Sequence, residues 1–230
     1  MNEMSLSYKL KQLKESWPNM TGRERLEHLW AYYKWVILVV LAVILGVSFL
    51  VNAIIQKNKQ TVISGVALNV TVSEEGRTYL QQGYKEHFEL TSWKQQVLFR
   101  KMQITEGSEN VADSYDNLMN FAAMCSQKEV DYLLLNTGAL DSLYPEGALK
   151  DLRQVYTQEE LDNMGDVVVY KKDKKTEEMI PVALNITDSA FVKENISQKG
   201  NIYFGFVTNT PRLEQAKQMY EFILALKAEA

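Results

Sequence analysis

The sequence predicts an α/β domain carried behind one N-terminal transmembrane helix, and three observations predict it. Residues 35–55 hold no charged side chain. Residues 62–135 read in the order strand, helix, strand, helix, strand, beginning with a run of period two at Val62–Val72. That order is the pattern of an open sheet with right-handed crossovers. The third strand of the series, Val130-Asp-Tyr-Leu-Leu-Leu135, is almost continuously apolar, as suits a central parallel strand covered on both faces. The expected architecture is therefore a single transmembrane helix followed by an open, mostly parallel α/β sheet.

The membrane segment comes first. Trp35 to Val51 reads Trp-Val-Ile-Leu-Val-Val-Leu-Ala-Val-Ile-Leu-Gly-Val-Ser-Phe-Leu-Val, and only Asn52 interrupts the extension to Ile55. About 20 apolar residues at 1.5 Å each cross a hydrocarbon core of roughly 30 Å. Trp30, Tyr32, Tyr33, Lys34 and Trp35 form an interfacial belt at one end, where amphipathic rings sit among headgroups. Gln56, Lys57, Asn58 and Lys59 close the other end. Upstream, Thr21-Gly-Arg-Glu24 has capping-box spacing, so a helix starts at Thr21 and runs on through the span. Pro18 and Asn19 separate it from a short amphipathic stretch, Leu6 to Trp17. A cleaved signal peptide has a shorter apolar region than this one.

The domain elements follow in order. Residues 56–61 are polar and read as a tether. Val62 to Val72 alternates and reads as a strand. Ser73, Glu74 and Glu75 start a helix with acids at the positive end of its dipole, and Leu80, Tyr84 and Phe88 share one face of it. Gln96 to Ile104 is a second strand and Asp113 to Gln127 a helix. After the third strand, Asn136 to Tyr144 is a helical turn ended by Pro145 and Gly147. Thr157-Gln-Glu-Glu160 matches a capping box ahead of a short helix. Val167–Lys172 and Met179–Ile186 are two strands joined by a charged loop, with Pro181 expected at a sheet edge. Ile202–Val207 is the last strand. Thr210 caps and Pro211 opens a C-terminal helix with Leu213, Ala216, Tyr220, Ile223 and Leu224 in its stripe.

Composition and charge exclude several classes. The chain has 230 residues, 46% hydrophobic and 23% charged, which excludes disordered and low-complexity proteins. A mean hydropathy of −0.24 matches a soluble protein only because it averages the apolar run with the rest. The formal net charge is −4, whereas nucleic-acid binding needs a Lys/Arg surplus on one face. The charge also divides. Residues 1–34 carry six basic and four acidic side chains, and residues 57–230 carry 19 and 25. The short basic tail is expected inside the cell and the acidic domain outside. The domains are thus residues 1–34, a cytoplasmic tail with a juxtamembrane helix, 35–55, 56–61, and an extracytoplasmic domain at 62–230.

The chemistry-bearing residues are few. Cys125 is the one cysteine, so neither an intrachain disulfide nor a cysteine-built zinc site forms. It sits in an apolar helical run and reads as a buried, inert thiol. His28 precedes the span, so His87 is the outer domain's one histidine and reads as a helix-end residue. No nucleophile elbow, Walker motif or dinucleotide fingerprint occurs. Glu106, Glu109, Asp113 and Asp116 are spaced as one helix face and not as a calcium loop. Lys171, Lys172, Lys174 and Lys175 mix with Asp173, Glu177 and Glu178 as a solvated hairpin tip. Asn-x-Ser/Thr triplets at Asn19, Asn69, Asn185 and Asn195 read as chance matches. Ligands of open α/β sheets bind beyond the carboxyl ends of the strands. That rule makes Thr71, Ser73, Asn136 and Thr137 the candidate ligand-binding residues, with helix capping as the alternative role for Asn136 and Thr137. No catalytic residue, metal ligand or cofactor is expected.

Three stretches carry a family resemblance. They are Glu129-Val-Asp-Tyr-Leu-Leu-Leu-Asn-Thr-Gly-Ala-Leu-Asp-Ser-Leu-Tyr144, Gly147-Ala-Leu-Lys-Asp-Leu152, and Tyr203 through Ile223 with its Phe-Gly-Phe-Val-Thr-Asn-Thr-Pro-Arg core. Together they resemble the extracellular solute-binding proteins of ABC importers, the type 2 periplasmic-binding-protein fold. The Tyr-Tyr-Lys-Trp approach to the span is similar to that of single-span proteins of Firmicutes. The resemblance implies one lobe of a two-lobed binding fold and a binding or accessory role in a membrane complex. A small solute or peptide and a membrane-complex protein are then the expected partners besides the lipid bilayer. An envelope docking subunit is the alternative.

Overall fold

The computed structural model describes residues 21–104, 111–173 and 176–226, and only the backbone of 22–29, 31–33, 56–57 and 111–115. The Leu6–Trp17 stretch, Pro18, Asn19, Glu106, Glu109, Lys174 and Lys175 lie outside the described residues, as do the side chains of His28, Tyr32, Tyr33 and Asp113. The chain divides into two compact units, Met1–Asn58 and Lys59–Ala230.

In the first unit a single helix, α1, runs from Gly22 to Lys57. It begins directly after Thr21 and continues through the apolar run, as the capping-box reading expects. Within it, Lys34–Ile55 is 22 residues long with a mean hydropathy of 2.9. At 1.5 Å per residue this is about 33 Å, long and apolar enough to cross a membrane. A helix from a soluble core would bury its apolar side, and this stretch buries no side chain. Trp30 and Trp35 are also exposed.

In the second unit six strands form one sheet in the order β2-β1-β3-β6-β5-β4. They are β1 (Gln60–Leu68), β2 (Gln95–Met102), β3 (Tyr132–Asn136), β4 (Val168–Lys172), β5 (Met179–Asn185) and β6 (Ile202–Phe206). The pairs β1–β2 and β1–β3 are parallel. The pairs β3–β6, β5–β6 and β4–β5 are antiparallel. The sheet is mixed, which corrects the mostly parallel expectation. The parallel half is the βαβαβ series read from the sequence. Only six residues separate β4 from β5, and strands so closely linked pair antiparallel. β6 then runs opposite to both its neighbours.

Nine-residue β1 is buried on both faces from Ile63 to Leu68. Its period-two pattern marks the strand, while the stretch Ile63–Leu68, in which Ser64 is the one polar side chain, reflects cover on both sides. One face of the sheet carries Ile63, Ala67, Tyr132, Leu134, Phe204 and Phe206. The short helices α2 (Glu74–Thr78) and α3 (Tyr84–His87) pack there, joined by a π-helical stretch at Tyr79–Gly83, together with α7 (Ala190–Asn195) and α8 (Leu213–Ala225). The other face carries Val66, Leu68, Leu133, Leu135 and Tyr203. It lies beneath α4 (Val111–Ser126) and α5 (Thr137–Leu143). The domain is therefore three layers with the sheet between. The helix α6 (Gln158–Met164) starts on the complete Thr157–Glu160 capping box that the sequence predicts.

Three details depart from expectation. Pro181 lies in β5, which is not an edge strand. It is tolerated because β4 is irregular opposite it, between Val169 and Tyr170, and because β6 pairs only with Leu184 and Asn185. The C-terminal helix begins at Leu213, with Arg212 in the cap position, while the Thr210 hydroxyl donates to Asp131 and accepts from the Arg212 N–H. The helix α7 has no counterpart in the sequence reading. Its signal was Ser189, whose Oγ accepts from the Val192 N–H.

Candidate functional site

The carboxyl ends of β1 and β3 lie side by side, because the two strands are parallel neighbours. The chain leaves them toward opposite layers, β1 toward α2 and β3 toward α5, the topological switch at which open sheets bind ligands. Thr71 is exposed there. Ser73 Oγ accepts from Gly76 N–H at 3.0 Å and donates to Asn195 Oδ1 at 3.2 Å. Asn136 Oδ1 accepts from Ala139 N–H at 2.9 Å and caps α5, whose first residue is the exposed Thr137. Thr71 and Ser73 thus follow the carboxyl end of β1, and Asn136 and Thr137 lie at that of β3, with the Ser73 and Asn136 side chains committed to helix caps.

A wider concavity lies on the face beneath α4 and α5. The stripe Leu118, Phe121, Ala122 and Cys125 on α4 forms one wall. Its spacing of three, one and three residues puts these side chains on one side of the helix. Leu143 of α5 and Val207 beyond β6 face it. The groove is open to solvent and has a volume of about 620 Å³, within the range of small-molecule sites. Polar groups sit at the rim, among them Ser142, Glu146 and Asn209.

The rim is held by hydrogen bonds. Thr208 Oγ1 donates to Gly147 O at 2.6 Å, and Asn209 Nδ2 donates to Cys125 O at 2.7 Å. These bonds tie the end of β6 to the turn after α5 and to the last turn of α4. Leu149 bridges Val207 and lies over Gly205, where an added Cβ would meet Leu149 Cδ2 at 2.7 Å. At the far end Asn69, with φ of 55°, takes Ile104 in a two-way grip. Its Nδ2 donates to Ile104 O at 2.6 Å and its Oδ1 accepts from Ile104 N–H at 2.7 Å. The triplet asparagines Asn69, Asn185 and Asn195 all use their amides inside the fold.

The lining of the groove is mostly apolar. Burial pushes the Cys125 thiol up to about 11, so it stays protonated and is a poor nucleophile at neutral pH. His87 lies outside it, its ring packed on Phe88 and Phe222. Among the described residues no three His, Cys, Asp or Glu side chains gather as a metal site. The sequence shows Cys125 in an apolar helical run but does not show the opposite wall, because Val207 and Thr208 approach from the far end of the chain. No family model, curated protein or solved structure matches the chain.

Proposed function

We propose that this chain is a single-span, membrane-anchored extracytoplasmic binding module without catalysis, its domain related to one lobe of a solute-binding protein. The apolar groove between α4 and α5 carries this reading. It has the size of a small-molecule site, a mostly hydrophobic lining and a few polar groups at its mouth. An amphiphilic solute with an apolar body fits those features. The basic tail, the uncharged span of α1 and the acidic domain support an N-terminus in the cytoplasm.

The exposed Leu118 and Met119 on the lip of the groove favour a second reading, in which an apolar segment of a membrane-complex protein docks there. One experiment separates the two. The chain is reconstituted in nanodiscs and its melting is followed against a panel of amphiphilic solutes, with empty discs as the blank. A binding module shows a saturable rise in melting temperature, lost in Ala122→Trp, which fills the groove. If no solute raises the melting temperature, while a membrane protein co-purifies with the wild type and not with Ala122→Trp, the docking reading replaces the first.

A further inference from the structure

The sheet has two edges, and they are not alike. β4 is five residues long and irregular between Val169 and Tyr170. It carries Lys171 and Lys172, ion-paired with Asp141 and Glu177, and the Tyr144 hydroxyl donates to Lys171 O at 3.5 Å. Short length, a bulge and lysines are the usual protection of a strand edge. β2 is eight residues long, carries Val97-Leu98-Phe99 at its centre and holds no proline. Its own register has no irregularity beyond Val97, from Val97 to Met102 opposite Ile63 to Leu68.

The direction of each backbone group on β2 follows from its pairing. Asn69 N–H donates to Met102 O, and Gln60 N–H donates to Lys94 O. Even-numbered residues therefore face β1, and the N–H and C=O groups of Val97, Phe99 and Lys101 point away from the sheet. Among these, the Val97 carbonyl accepts from Gln81 Nε2 at 3.2 Å. Among the described residues no strand pairs with this side of β2.

Cations flank that edge on both faces. A notch of about 380 Å³ beside it is lined by Arg77, Phe99 and Lys101 together with Glu74. On the α4 face, Arg100 reaches Met124 Sδ at 3.7 Å and Glu129 at 3.6 Å. The Arg77–Glu74 contact is also 3.6 Å, between largely exposed side chains, and such contacts are weak. This basic stretch belongs to a domain whose overall balance is acidic.

We propose that the free edge of β2 receives an extended acidic segment of a partner protein as a seventh strand. Strand addition supplies main-chain bonds to Phe99 and Lys101. Side chains of the added strand alternate between faces, so acids on one face meet Arg77 and Lys101, and acids on the other meet Arg100. This site is separate from the apolar groove and does not depend on it.

The test uses the full chain in nanodiscs and a fluorescein-labelled peptide of Glu, Thr and Val with glutamates on both faces. Its lysine-for-glutamate counterpart and a version N-methylated at alternate residues serve as comparisons. The acidic peptide binds at least about tenfold more tightly than the lysine peptide, N-methylation abolishes binding, and added salt weakens it. Lys101→Pro removes an outward N–H that the β1 ladder does not use, and it weakens binding about tenfold with the melting temperature retained. Lys101→Ala, which keeps that N–H, weakens it less. Equal binding of acidic and lysine peptides, binding unaffected by N-methylation, or no saturable binding overturns the proposal. A chain dimer broken by Lys101→Pro also overturns it, and assigns the edge to a second copy.

Discussion

Asp131 and Arg212 form an ion pair at 2.8 Å that joins the start of β3 to the start of α8. Asp131 has no exposed surface. Its carboxylate also accepts from the Ser64 N–H at 2.8 Å and the Thr210 hydroxyl at 2.6 Å, and Arg212 donates in turn to Lys128 O at 3.0 Å. A buried carboxylate is tolerated when its lone pairs are filled and its charge is matched. This one knits β1, β3 and the two residues that lead into α8.

Removing either side of this pair should therefore be costly and unequal. Asp131→Ala strands three donors and should destabilise the domain by about 3–5 kcal/mol. Arg212→Ala leaves the carboxylate two donors, and the arginine is partly exposed, so the loss should be nearer 2 kcal/mol. Urea unfolding of the three chains, including the double variant, checks the order. Additive losses in the double variant would show that the two residues act independently.

Gly65 and Tyr132 form a second tight relationship. Tyr132 packs over Gly65, and a Cβ there would lie 2.1 Å from Tyr132 Cζ. The ring is fully buried and stacks on Phe204 at a centroid distance of 5.2 Å, so it has nowhere to move. Gly65→Ala should cost about 3 kcal/mol. Adding Tyr132→Leu should return part of that loss, because the second change opens the space. Melting temperatures of the two variants test this. An equal loss with and without Tyr132→Leu would mean that the cost at Gly65 is conformational and not steric.

Much of this fold was legible in the sequence, for reasons that differ by element. β1 showed as a run of period two and β3 as a short, almost continuous apolar run, and Ser73, Asn136 and Thr157 marked helix starts because capping is local chemistry. Strand direction beyond β3 was not legible, since nothing in Ile202–Phe206 records which way it runs against β3. The Asp131 pair was equally hidden. An aspartate at the head of an apolar strand hints at a buried partner, but Arg212 is 81 residues away. The groove failed to show for the same reason. One wall is a helical stripe, and the other is assembled from the turn after α5 and the end of β6.

The span makes a simpler prediction. Leu45 is near the middle of Lys34–Ile55, and an arginine at the centre of a membrane helix costs about 3 kcal/mol of insertion. Leu45→Arg should shift a substantial fraction of the chain out of alkali-washed membranes. Gln56→Arg, at the polar end, should leave membrane retention unchanged. Equal retention of both variants would argue against a spanning helix.

The Cys125 thiol gives a pH-dependent readout of the groove. Burial raises it from an ordinary 9.0 to about 11. The protonated form is the one the fold favours, so this contribution to stability is complete below pH 9.0 and is lost as pH rises toward 11. The same shift leaves roughly a hundredfold less thiolate near pH 8 than a free cysteine carries. Iodoacetamide should therefore alkylate the folded chain at least about a hundredfold more slowly than a cysteine peptide at that pH. The rate should climb about tenfold per pH unit until about pH 11. Because Cys125 lines the wall formed by Leu118, Phe121 and Ala122, a solute seated in the groove should slow alkylation further at every pH. A solute that raises the melting temperature yet leaves the alkylation rate unchanged must bind elsewhere on the domain.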